Sequence, residues 1–254
     1  MINWIGVYTM IRREVERTMR VIVQTLISPV VSAALYIFIF GHVIGTRISD
    51  VAGVPYITFV FPGILMLSII NVSFSSSSSS LYFARFMKSI DEILIAPFSY
   101  IEMIFGFMLG SVIRAVIVAI LIVCVGTLFG AVSLEQPLLF IFYIVAVSGI
   151  FSLLGILVAL WAQGFEQLSI LNTFFITPLT YLGGIFYSIT MLPPLAQTIT
   201  RANPFFYFVD GLRSSMTGVH EANAILGLVI IFGILSTLTL LVVHLFKIGW
   251  RIRA

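Results

Sequence analysis

Charge is what this chain has least of. Asp, Glu, Lys and Arg make up 9% of its 254 residues, against 60% hydrophobic. A soluble domain carries roughly a quarter charged residues. A separate solvated catalytic domain is thereby excluded, and the chain falls among membrane proteins. Cysteine is nearly absent: Cys124 stands alone in an apolar run, so no intrachain disulfide framework can form. The histidines His42, His220 and His244 are scattered, which argues against a metal centre. No Gly-rich loop ends in Lys-Ser or Lys-Thr, so the chain lacks the phosphate-binding loop needed to hydrolyse ATP itself. The net charge of +3 comes without a basic run interleaved with aromatics, which excludes nucleic-acid binding. No small-residue cleavage site follows the first apolar run, so a signal peptide fits badly and the N-terminus is expected to be retained.

What is present is a series of long apolar runs. Six, at about 21–44, 56–80, 101–128, 137–160, 168–187 and 223–246, reach or approach the roughly 20 residues a bilayer requires. Ahead of them, over 3–19, Trp4, Tyr8, Ile11, Val15 and Met19 share one helical face while Arg12, Arg13, Glu14, Glu16 and Arg17 occupy the rest, the pattern of a helix lying in the membrane interface. The expected fold is all-α and polytopic: one domain over 1–254 with six transmembrane helices, an N-terminal interfacial helix and short re-entrant helices before the last span. Basic residues orient it. Arg12, Arg13, Arg17, Arg20, Arg85, Lys88, Lys247, Arg251 and Arg253 fall on one side, against Arg47, Arg201 and Arg213 on the other. The positive-inside rule then places both termini in the cytoplasm.

Residues 81–98 form a charged stretch between hydrophobic runs. It reads as a short amphipathic helix ending at Pro97, with Phe86, Ile90, Ile93 and Leu94 on one face and Lys88, Asp91 and Glu92 largely off it. An apolar stripe on such a loop needs a cover, and a soluble partner in the cytoplasm is the cover expected here. The preceding span ends in a serine run, Ser73–Ser80 interrupted only by Phe74, which can bond back to its own helix and allow close packing, or line a polar path. Gly106 and Gly110 form a small-xxx-small packing pair. Arg114 falls mid-span, where a charge costs at least about 2.5 kcal/mol, so it must face protein or water. A cargo, a moving gate, backbone carbonyls, or a polar residue such as Asn71 or Asn172 could answer it.

In the fifth run Pro178 removes a helical hydrogen bond and Gly183-Gly184 weakens the helix beyond it. The segment that follows, 188–218, is too apolar for a solvated loop. Asn203 suits an N-cap and Pro204 the first helical position. Phe205, Phe208, Val209 and Leu212 then share a face, and Asp210 and Arg213 are spaced to pair. Two short helices dipping into the membrane, as a lid or gate or as a simple anchor, are the expectation.

Four motifs in this order carry a family resemblance. They are Phe61-Pro62-Gly63, Ile93-Leu94-Ile95-Ala96-Pro97, the run from Thr177-Pro178 to Gly183-Gly184, and Asn203-Pro204 followed by Gly211-Leu212-Arg213. Over nearly the whole length the chain resembles the membrane subunit of ABC-2-type exporters, the permeases of O-antigen, teichoic-acid, nodulation-oligosaccharide and drug-efflux systems. The resemblance implies a bacterial inner-membrane permease that pairs with a second copy of itself and binds two copies of a separate ATP-binding-cassette subunit. ATP and Mg would be bound by that partner, and no cofactor by this chain. It further implies a coupling helix at about 84–95, where Lys88, Ile90, Asp91, Glu92 and Ile93 would contact the ATPase. Arg114, Pro178, Asn203, Pro204, Asp210 and Arg213 are the candidates for the translocation path or its gate. The cargo implied is an amphiphile, drug, lipid or lipid-linked saccharide. A secondary transporter is the alternative, but the acids lie at span edges, as with Glu102, Glu135, Glu166 and Glu221, and no internal repeat stands out. A membrane-embedded serine protease would have to join the serine run to His244 and lacks a Gly-x-Ser-x-Gly element.

Overall fold

Lipid offers a backbone no hydrogen-bond partner, so a crossing segment must satisfy its own amides, which a helix does within itself. The computed structural model of the chain describes residues 4–45, 50–95 and 99–252, leaving aside the His42 side chain, and is built on that rule. Arg47, Ala96-Pro97 and Arg253 lie outside the described residues. Among those described, five helices are long and apolar enough to cross a membrane: Val23–Gly41, Tyr56–Phe86, Tyr100–Leu128, Pro137–Trp161 and Ala224–Lys247.

In chain order, α1 spans Trp4–Arg20. The first crossing segment has α2, Ser28–Tyr36, at its centre, flanked by wide π-turns at Val23–Ile27 and Ile37–Ile44. A two-residue hairpin, β1 (Asp50–Val51) against β2 (Val54–Pro55), leads into α3, Tyr56–Phe86. Then come α4 (Ser89–Ile95), α5 (Tyr100–Leu128) and α6 (Pro137–Trp161). Ser99 and Glu102 form a reciprocal capping box that starts α5.

The region expected as a fifth span is helical from Phe165 to Tyr181 and stops there. It comprises α7 (Phe165–Leu171), a π-turn (Asn172–Ile176) and α8 (Thr177–Tyr181). Gly184, at φ +79°, turns the chain away. Pro178 widens this helix rather than ending it. The same device appears in the first segment, where the π-turn Val23–Ile27 precedes Ser28-Pro29 as Asn172–Ile176 precedes Thr177-Pro178. Proline has no N–H to give and its ring crowds the preceding turn, and a wider turn relieves both. Next come α9 (Pro194–Ala202), α10 (Pro204–Thr217) and α11 (Ala224–Lys247). Asn203 caps α10 as expected, its side-chain oxygen accepting from Phe205 N at 3.1 Å.

The core is organised on α3, whose buried face is shared with α5, α6 and α10. At Gly155 the α6 backbone comes so close to the serine run that an added Cβ would lie 2.6 Å from the Phe74 carbonyl oxygen. Ser73 and Ser77 bond back to Ile69 and Ser73 carbonyls at 2.5 and 3.1 Å, which hides their polarity within α3.

The interfacial helix carries a correction. Trp4 and Tyr8 are exposed, as a lipid-facing stripe requires, but α1 has a second face, Val7, Met10, Glu14 and Thr18, that is buried against α5. The small-xxx-small pair is its seat: an added Cβ at Gly106 would lie 2.7 Å from Met10 Cβ, and one at Gly110 2.5 Å from Glu14 Cβ.

Candidate functional site

Two polar stripes face a cleft of about 530 Å³ between the first crossing segment, α3, α5 and α8. Gln24, Ser28, Ser32 and Tyr36 recur every four residues on one wall; Ser68, Asn71, Ser75 and Ser79 recur every three or four on the other. In the single chain Gln24, Ser28, Ser32 and Ser75 are exposed at the level of the spans, where lipid gives hydroxyls and amides no partner. Thr177 and Tyr181 of α8 form a third wall, and the hydroxyls of Tyr36 and Tyr181 meet at 3.4 Å. The serine run divides between helix packing and the cleft wall. Ser77 packs against Gly155 of α6, while Ser75, Ser76 and Ser79 line the cleft. The four-residue stripe on the first segment was visible in the sequence but submerged in its apolar average.

At the end nearer α1 sits Arg114. Its partner is neither Asn71 nor Asn172: Nε and Nη2 donate to Thr18 Oγ1 on α1, at 2.9 and 2.6 Å. Beside it Arg17 Nη2 is paired with Glu14 Oε2 at 3.3 Å and donates to the Ser76 carbonyl at 3.3 Å. Burial pushes the Arg17 pKa below the ordinary arginine value, and Glu14 works against that shift.

Residues 81–95 divide differently from the pattern read in sequence. α3 continues to Phe86, Lys88 takes a left-handed φ of +56° in the turn, and α4 follows. Ile90 and Ile93 are buried among Met10, Met103, Phe107, Leu160 and Phe246, inside the chain's own core. They are not free for a partner. What faces outward is Lys88 and Glu92, with Asp91 partly so, beside exposed Phe86, Met87 and Ile95. The expected single apolar face is thus split between inside and outside. Arg85, counted with the loop, lies buried at the end of α3, its Nη1 donating to the Ala159 carbonyl at the end of α6. Arg251 Nη1 reaches the Trp161 carbonyl at 3.1 Å. Two arginines thereby answer carbonyls that the last turn of α6 leaves open. Phe165 meets Tyr82 and Phe86 edge to face with ring centroids 4.9 and 5.1 Å away, tying the start of α7 to this end.

At the opposite end three of the sequence motifs converge. An added Cβ at Gly63 would lie 2.8 Å from Ile185 Cα, so the Pro62-Gly63 step seats the turn after α8. Asn203 Nδ2 donates to the Leu179 carbonyl at 2.6 Å. Arg213, fully buried, donates to the Phe59 carbonyl at 3.2 Å and the Gly184 carbonyl at 2.5 Å, and its guanidinium lies 3.9 Å above the Phe59 ring. The carboxylate in ion-pair contact with it is Glu221, at 3.8 Å, while Asp210 acts on it by charge from farther off. Asp210 instead accepts the backbone N–H groups of Glu221 and Ala222, both at 3.0 Å, and holds the chain that presents Glu221. Of the path or gate candidates, Arg114 lines the cleft and Pro178 shapes the helix that walls it. Asn203, Pro204, Asp210 and Arg213 do not line the cleft and meet in this knot at the other end.

Helices long enough to cross a membrane, gathered around a polar cleft, define a multi-pass membrane protein. The family model for the ABC-2 type transporter matches residues 6–217, and the chain belongs to that family. Over 249 residues it is 35% identical to the inner membrane transport permease YadH of Escherichia coli K12, covering 98% of this chain and 94% of that one. It is also 26% identical over 226 residues to nodulation protein J of Neorhizobium galegae, covering 86% and 82% of the two chains. With nodulation protein J of Rhizobium meliloti the figures are 25% over 218 residues, 85% and 82%. The chain is a multi-pass inner-membrane transport permease.

Proposed function

We propose that this permease is the membrane subunit of an ATP-driven exporter, with the ATP bound and hydrolysed by a separate ATP-binding-cassette subunit. Two copies face one another so that their exposed polar stripes enclose a common path. The termini and α4 lie in the cytoplasm. The helix Phe165–Tyr181 and the turn after it reach from that side toward α9 and α10, which re-enter from outside. The cargo is an amphiphile, a drug, a lipid or a lipid-linked saccharide.

The observation that carries this reading is the split of α4. Its outward side, Lys88, Asp91 and Glu92 with Phe86, Met87 and Ile95 around them, offers charge and apolar area to a soluble partner. Its inward side, Ile90 and Ile93, enters a buried cluster to which α1, α3, α5, α6 and α11 contribute. A push on the outer side is therefore passed through α3 and this cluster to the bundle, because packed cores transmit displacement instead of absorbing it. Since α5 carries Arg114 and α1 carries Thr18, such a displacement acts on one end of the cleft.

Mild-detergent purification tests the assignment. The chain is expected to bring down a stoichiometric ATP-binding-cassette subunit with ATPase activity. The double variant Lys88→Glu, Glu92→Lys, on the outward side of α4, should lose export or its coupling to hydrolysis while the spans stay folded. Repeated isolation of the chain with no ATPase across gentle detergents, or normal coupled export by the double variant, would refute the reading.

A further inference from the structure

One charge on the cleft wall has no counter-ion. Arg114 is the sole formally charged residue among those lining the cleft. Two of its nitrogens share a single neutral oxygen, Thr18 Oγ1, which leaves Nη1 for the cleft. Among the described residues no carboxylate lies within 4.0 Å of this guanidinium, since the nearby acid, Glu14, is ion-paired with Arg17. Two guanidiniums and one carboxylate leave this end of the cleft positive. A buried arginine strongly prefers an anionic partner to a lone hydroxyl.

A second observation falls at the same place. Ser76 Oγ, on the cleft wall, is buried and has no hydrogen-bond partner. The carbonyl of the same residue accepts from Arg17, which brings the second guanidinium alongside, and Arg17 Nε is itself buried without a partner. Gln24, also on the lining, can donate hydrogen bonds through its amide, and no acid lies among the lining residues to repel an anion.

We propose that this end of the cleft is a seat for an anionic oxyacid group, a phosphate or a carboxylate, bound directly by Arg114 Nη1 and Ser76 Oγ with Arg17 behind them. The proposal rests on the cleft being the transport path and names the cargo class: a molecule whose head bears such an anion. A phospholipid headgroup and a free phosphate present the same oxygens, and the probes below separate them.

The permease is purified whole, with any subunit that accompanies it, in a non-ionic detergent. It is titrated calorimetrically with dihexanoyl phosphatidylglycerol, with inorganic phosphate, and with dioctanoylglycerol, which has acyl chains but no phosphate. Saturable binding of the phospholipid, weakened about tenfold or more in Arg114→Gln, is expected, because one charge-assisted hydrogen bond contributes at least that factor. Phosphate binding with the same dependence shows that the anion alone suffices; binding of the phospholipid alone assigns the seat to a lipid headgroup. Ser76→Asp places a carboxylate beside Arg114. It should fold, since it supplies the missing counter-ion, and should abolish anion binding, so it decides the matter even if Arg114→Gln does not fold. Absence of binding by the wild type, equal binding of dioctanoylglycerol, or wild-type affinity in Ser76→Asp overturns the proposal. Thiol labelling along the cleft, described below, tests the path separately and does not depend on an anion.

Discussion

Arg213 is the residue on which the closing knot turns. With no exposure to solvent, it is answered by two carbonyls from different segments, a carboxylate and a ring face. The planar fork of a guanidinium can reach Phe59 and Gly184 together, whereas a single ammonium cannot match that geometry. Arg213→Gln leaves Glu221 buried without its cation and is expected to cost about 3–5 kcal/mol. Thermal unfolding in detergent measures this, and Arg213→Lys should recover only a small part of the loss. Full recovery by lysine would show that charge alone holds the knot. Sequence spacing paired Arg213 with Asp210 three residues earlier. The two still act on each other by charge, but on a buried face the hydrogen bonds of the carboxylate go to backbone amides and the direct ion pair of the arginine to a more distant acid.

Among the elements, α1 was read as a helix lying on lipid, and its exposed Trp4 and Tyr8 agree with an interfacial setting. Its other face, seated over Gly106 and Gly110, makes it part of the bundle. Gly110→Leu tests this. On propensity alone the leucine favours α5 by up to about 1 kcal/mol. The clash with Glu14 opposes it by about 1–3 kcal/mol, and overpacking wins. The expected result is a less stable protein in which trypsin cleaves faster at Arg12 and Arg13, and an unchanged cleavage rate would show that α1 does not depend on this seat. The small-xxx-small spacing was legible in the sequence. Which helix fills the groove was not, because close approach is a property of two surfaces and only one is written at Gly106 and Gly110. The same limit applies to α4: the periodicity of Ile90 and Ile93 required a cover, and could not say whether that cover was a partner or the chain itself.

At the scale of the whole molecule, the exposed polar stripe on the first crossing segment is the feature a single chain leaves unsatisfied. The proposed pairing of two copies would enclose it as a hydrated path. In a Cys124→Ser background, Ser28→Cys and Ser75→Cys are expected to react with a small hydrophilic thiol reagent, at rates that change when ATP is turned over. A cysteine at Val31, on the exposed apolar side of the same helix, should stay slow. Equal, ATP-independent reactivity at all three would remove the cleft as a path.

The sequence by itself determined that this is a helical, multi-pass membrane protein of the ABC-2 type. Hydrophobic length, backbone self-satisfaction and capping residues such as Asn203-Pro204 act locally and can be read in order. Tertiary structure alone decided which residues meet. Thr18 answers Arg114 from 96 residues away, Gly63 receives Ile185, and Ile90 and Ile93 turn inward. Each of these depends on how separately formed helices pack, and packing is chosen by complementary surfaces distant in the chain, not by any one stretch of it.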